Sequence, residues 1–219
     1  MTIAQAVDEY IKNSPFLEEA LSDQLINISS LARQVQPDIE KLLRKKVQTG
    51  AIVMAINRRP TQDSYRISKS IREFMNRLGD IIVRSDLRDY TFENSAGLNA
   101  CNRLLMDGIA GEKEIFCTIS QGVFETTLVV SSLLSERINE IYKNEKLIAS
   151  MEKLSSVTIR LPESNTEVSG IYYFLLKRLA WIGINICEVI STSNEVTLVV
   201  YEKDVHKAFA LLMELKQGS

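Results

Sequence analysis

A chain of 219 residues that is 45% apolar and 25% charged, with four prolines and nine glycines, has the make-up of two or three small folded domains. This composition excludes disordered and collagen-like chains, and a formal charge of −2 argues against a protein that coats nucleic acid along its whole length. The charge is uneven: from Lys41 to Arg77 ten basic residues face only Asp63 and Glu73, whereas from Asp80 onward 19 acidic residues outnumber 14 basic ones.

In chain order, Ala6, Val7, Tyr10 and Ile11 fall at helical spacing, and Asn13-Ser14-Pro15 stops that helix and starts a second, PFLEEALSD. NISSLARQV predicts a third helix, with Leu31, Ala32 and Val35 on one face. A break at Gln36-Pro37 then opens a fourth, DIEKLLRKKVQ, ended by Thr49-Gly50. AIVMAIN has the continuous apolar character of a short buried strand. Arg58-Arg59-Pro60 marks a boundary, and residues 61–79 predict a basic connecting helix.

From Asp80 strand and helix patterns alternate. IIVRSDLRDYTF, EIFCTISQG and FETTLVVSS read as strands, with GLNACNRLLMDGI and SERINEIYKNEKLIASM as helices. The order returns with SVTIRLPES, SGIYYFLLKRLAWIG, NICEVISTS, EVTLVVYEK and DVHKAFALLMELK. Two β-α-β-β-α units, 80–150 and 151–219, follow from this duplication, and pairing them supplies each with the sheet edge it lacks. The expected protein is α+β, with a helical domain over 1–60 ahead of two ferredoxin-like units.

The second unit resembles the ACT domain, a small regulatory amino-acid-binding module, in the form found in tandem at the end of aspartate kinases. Gly170-Ile171, the run Trp181–Ile186 and above all Ile190-Ser191-Thr192-Ser193 carry the resemblance, followed by EVTLVVYEKD and a helix starting DVHKAF. The first unit is similar in pattern and spacing only, and the kinase part of those enzymes has no counterpart. The resemblance implies effector contacts at Asn165, Gly170, Ile171, Tyr172, Cys187, Glu188, Thr192 and Ser193. Val168 and Asn194 depart from the aspartate kinase pattern, which puts ligand choice in question. The chemistry is consistent with those positions: a free amino acid is a zwitterion, and the start of a helix offers N–H donors for its carboxylate. Glu188 offers an acceptor for its ammonium. The same serines and threonines are also ordinary turn chemistry, in which case the units serve only to pair. Asp86, Arg88 and Asp89 of the first unit read either as ligand contacts or as solvated loop charges.

Residues 25–57 resemble a helix-turn-helix with a trailing strand, a winged helix in outline. Arg33, Gln34, Lys41, Arg44, Lys45, Lys46, Arg58 and Arg59 are its candidate nucleic-acid contacts. The same cations near a helix C-terminus stabilise its dipole without any partner.

Catalytic motifs are missing: the one histidine, His206, has no metal or triad partner, and neither a GxxxxGK[ST] nor a GxGxxG loop occurs. Cys101, Cys117 and Cys187 are widely spaced and odd in number, as expected of reduced thiols in a cytoplasmic protein. The opening MTIAQAVDEYIKN predicts no secretory signal, and no apolar run approaches a membrane span. The sequence thus predicts a non-enzymatic, cofactor-free regulatory homodimer that senses a small effector, an amino acid, and passes that state to the basic head. Two alternatives stand beside it: a DNA-binding transcriptional regulator, and a regulatory subunit of an amino-acid biosynthetic enzyme.

Overall fold

Thr2 and Gln5 cap helix α1 (Ile3–Lys12) reciprocally: the Gln5 N–H donates to Thr2 Oγ1 at 3.2 Å and the Thr2 N–H to Gln5 Oε1 at 2.8 Å. Helix α2 (Pro15–Ser22) follows. Helix α3 (Ile28–Leu43) is capped by Asn27, whose Oδ1 accepts from the Ser30 N–H, and ends where Arg44 turns left-handed. The computed structural model describes residues 1–59 and 62–217, which form two compact units, 1–72 and 73–219.

In the first unit two sequence expectations fail. Pro37 does not end a helix but lies inside α3. An interior proline costs about 3 kcal/mol in a lost hydrogen bond and a ring clash. Breaking the helix there would take Ile39 out of the stripe that Leu31, Ala32 and Val35 begin, and one fully buried isoleucine alone contributes about 1.5–3 kcal/mol. The stripe wins, and the helix-turn-helix break expected at Gln36-Pro37 is absent.

The AIVMAIN segment is likewise not a strand but helix α4 (Thr49–Asn57), so the trailing strand of a winged helix is missing from residues 49–57 and Thr49-Gly50 begins an element instead of ending one. Ile52 and Ile56, one turn apart, complete a core with Ala6, Val7 and Ile11 of α1 and the α3 stripe. Helix α5 (Gln62–Met75) runs from this unit into the next. The expected boundary at Pro60 and the first residue of the connecting helix, Thr61, lie outside the described residues.

The second unit contains one antiparallel six-stranded sheet in the order β2-β3-β1-β4-β6-β5. Its first repeat runs β1 (Ile81–Glu93), α6 (Leu98–Gly108), β2 (Cys117–Gln121), β3 (Glu125–Ser131) and α7 (Ser135–Ile141). The second runs β4 (Leu147–Arg160), α8 (Ile171–Trp181), β5 (Ile186–Ser191), β6 (Glu195–Tyr201) and α9 (Val205–Gln217). The predicted β-α-β-β-α order is therefore present twice.

The long central strands β1 and β4 each serve both repeats. The second half of β1 lies between β3 and the first half of β4, while the second half of β4 lies between β6 and the first half of β1. Each repeat thus borrows half a strand to make four, and position 150, where the sequence divides the units, lies within β4. Register shifts beside Asp86 and Lys153, both at positive φ, mark the changeover in each strand.

Alternation sends Tyr90, Phe92, Leu128 and Val130 to one face, packed with Leu98 and Leu105 of α6 and Ile138 of α7. A second cluster joins Leu87 and Val129 of the first repeat to Leu154 and Val199 of the second, with Phe116, Met151, Cys187 and Ile190 against it. Strands from opposite halves of the sheet meet there, so the sheet is curled. No helix among the described residues is long and apolar enough to cross a membrane.

Candidate ligand site

Antiparallel β5 and β6 turn through Thr192-Ser193-Asn194, with the Thr192 N–H donating to the Glu195 carbonyl at 2.9 Å. Asn165, in the one-turn 3₁₀ helix Glu163–Thr166, donates its side-chain amide to the Ser193 carbonyl. The Tyr172 hydroxyl and Ser191 Oγ are 2.7 Å apart. Gly170 stands at the N-cap of α8 with φ 88°, a left-handed conformation that glycine adopts without the Cβ clash other residues suffer, and no side chain caps the helix. An uncapped helix start, with its unpaired N–H groups, therefore lies next to a turn rich in hydroxyls.

Of the eight expected effector contacts, the structure joins Asn165, Tyr172 and Ser193 in this hydrogen-bonded assembly, with Gly170 and Thr192 adjoining. Ile171 is buried and serves the core. Cys187 and Glu188 are elsewhere: Glu188 is four residues back along β5 from Thr192, roughly 13 Å at strand rise.

Cys187 packs in the cluster between the repeats. Burial raises its pKa first, and the charges of Asp89, Glu188 and Asp204 raise it further. Glu188 is half-buried there and its pKa is raised by burial. Asp89 is no solvated loop charge but a mid-strand residue of β1 at 0% exposure. Burial and then the charge of Glu188 push its pKa up to about 6, with a weak opposing hydrogen bond from Thr91, and its Oδ2 has no partner. Arg88 is paired with Glu152 at 3.2 Å, and Asp86 is exposed at the bulge.

The first repeat answers the same geometry differently. Asn94 donates its amide to the Gly122 carbonyl of the β2–β3 turn at 2.9 Å, matching Asn165 on Ser193. Here the helix start is filled by the chain itself: Ser95 Oγ accepts from the Gly97 and Leu98 N–H groups and donates to the Glu145 carboxylate. One repeat closes its helix start with its own serine hydroxyl, which Glu145 holds in place, and the other leaves it open. No spacing in the sequence ties Glu145 to Asn94-Ser95, because it comes from a segment 50 residues further on.

Among the candidate nucleic-acid contacts, Arg33, Gln34, Lys41, Arg44, Lys45, Lys46 and Arg58 are exposed, and Lys46 is paired with Glu40 at 3.2 Å. Arg59 does not extend to solvent. At 13% side-chain exposure it bonds Asp8 at 2.8 Å and Glu18 at 2.9 Å, tying α1 and α2 to the end of α4. Asp8 is held below the usual carboxylate range chiefly by its hydrogen bond from Arg59, then by that from Lys12. Trp181 is 78% exposed in the single chain, so it is not a core residue.

No family model matches the sequence, and neither does any curated protein. Solved structures do. The chain is similar to the aspartokinase alpha and beta subunits at 15% identity with a TM-score of 0.52, over 63% of this chain and 97% of that one. The ligand-free regulatory subunit of aspartate kinase from Thermus thermophilus gives 13% identity and a TM-score of 0.50 over the same shares. The aspartate kinase of Clostridium acetobutylicum gives 17% and 0.51, with this chain spanning 34% of its length. At such identities the likeness is one of fold: the chain carries an ACT-like fold of the kind found in aspartate kinase regulatory subunits.

Proposed function

We propose that this chain is a non-enzymatic regulatory protein that senses an amino acid through its second ACT-like repeat and passes that state along α5 to the basic helical unit. The observation that carries the reading is the uncapped start of α8 beside the Thr192–Asn194 turn, in a fold shared with aspartate kinase regulatory subunits. The contrast with the first repeat supports it, since the Ser95 hydroxyl, backed by Glu145, already takes the N–H groups of the corresponding helix start. Sensing requires that the ligand favour one arrangement of the repeats over another, because equal affinity for both shifts nothing. The reading includes a homodimer, for which the open sheet edges at Ile82 and Val83 of β1 and at Leu147 and Ile148 of β4 offer exposed apolar surface.

A thermal-shift screen of the full chain against the twenty amino acids tests the proposal. A ligand at 100 times its dissociation constant stabilises the folded state by about 2.7 kcal/mol. At least one amino acid should raise the melting temperature in the millimolar range, and a chain that none of them stabilises overturns the reading.

A further inference from the structure

Against the same turn lies a cavity of about 550 Å³, within the roughly 300–1,000 Å³ range of small-ligand sites. Its charged lining is Arg160 at the end of β4, Asp80 just before β1 and Glu195 at the start of β6, with Thr192, Ser193 and Ile82 also on its walls. Of the lining residues only Thr192 and Ser193 are among the expected effector contacts; Glu195 opens the EVTLVVYEKD run but is not one of them.

The walls are fixed by main-chain bonds. Arg160 is the cross-strand partner of Glu195, its N–H donates to the Asp80 carbonyl at 3.0 Å, and its carbonyl accepts from the Gly79 N–H at 2.9 Å. The Leu161 N–H reaches the Asn194 carbonyl at 2.7 Å and holds the turn against the strand end. Gly79 is needed for this approach, because a Cβ there would lie 2.9 Å from Arg160 Cβ. While the backbone is so engaged, no ion pair or hydrogen bond within the described residues occupies the Arg160 guanidinium or the Asp80 and Glu195 carboxylates.

We infer that this cavity is a binding site for an amino-acid zwitterion, with Arg160 taking the carboxylate and Asp80 and Glu195 the ammonium. The inference rests on the sensor reading and assigns it a site apart from the start of α8. A guanidinium fork matches a carboxylate in a bidentate way, and two carboxylates offer an ammonium more acceptors than it has protons. The hydroxyls of Thr192 and Ser193 fix the orientation of the bound molecule. Its side chain is neutral or basic, since Asp80 and Glu195 repel a second carboxylate.

The test is titration calorimetry on the full chain with each amino acid that shifts its melting temperature, in the wild type and in the Arg160→Met and Glu195→Gln variants. Expected are a tenfold or greater loss of affinity in Arg160→Met and a smaller loss in Glu195→Gln, with circular dichroism unchanged. The amine lacking the ligand's carboxylate should bind wild type and Arg160→Met equally weakly. An amino acid that binds both variants as it binds the wild type overturns the cavity as the site while leaving the sensor reading to the start of α8. If no amino acid binds the wild type, the sensor reading falls and the inference with it.

Discussion

Replacing Asp89 by asparagine should stabilise the second unit at pH 8 and flatten its stability between pH 4 and 7. Asp89 is wholly buried between the repeats, its Oδ2 has no partner, and Glu188 adds a like charge. Its carboxyl rises from an ordinary 3.8 to about 6 in the folded chain, chiefly through burial. A difference of roughly 2 pKa units corresponds to about 3 kcal/mol between the two protonation states.

The sign follows from the folded state binding the proton more tightly. The favourable contribution is fully present below pH 4, where the carboxyl is neutral in both states, and is lost as pH rises through 6. Above that the folded chain holds an uncompensated buried charge. The Asp89→Asn side chain would keep the shape without the charge, so the gain at pH 8 should approach 3 kcal/mol, less whatever a buried amide loses for want of a partner. Urea unfolding followed by circular dichroism at pH 5 and pH 8 reads this directly; Trp181 is too exposed to report on the site. Glu188→Gln should move the titration toward lower pH. A variant no more stable than wild type at pH 8, with an unchanged difference between the two pH values, would refute the argument.

Two further outcomes concern the helical unit. Pro37→Ala should stabilise it by about 1–3 kcal/mol, because the proline is exposed on α3 and its replacement restores an N–H in the helix interior; a loss of stability on thermal unfolding would mean that the ring supports the fold. Arg59→Ala should destabilise it by about 1–3 kcal/mol through loss of the bonds to Asp8 and Glu18, whereas Lys45→Ala should leave stability unchanged. If the unit binds duplex DNA, Lys45→Ala lowers affinity and the salt slope in a filter-binding assay, while Arg59→Ala acts only through folding.

The repeated β-α-β-β-α order was legible because alternation of apolar residues and the punctuating turns are local. So were the Asn165–Gly170 loop and the Ser191–Ser193 run, both near the start of α8. Elements whose assignment depends on partners far along the chain were not. A seven-residue apolar run such as AIVMAIN fits a buried strand or a buried helix equally, and packing on α1 and α3 decided for the helix. Pro37 announces a break that the α3 stripe overrides, and the basic character of Arg59 says nothing of Asp8 and Glu18.

The sequence by itself therefore determined the order of elements in the acidic part, which follows from side-chain period and turn chemistry over a few residues. It did not determine every boundary, since Leu147–Met151, expected as the end of a helix, is the first part of β4. Only the tertiary structure decided that β1 and β4 are shared between repeats, that Asp89 is buried among them, and that Arg160 meets Asp80 and Glu195 across a cavity. The physical reason is that strand register and burial are set by contacts between distant segments, which no local spacing encodes.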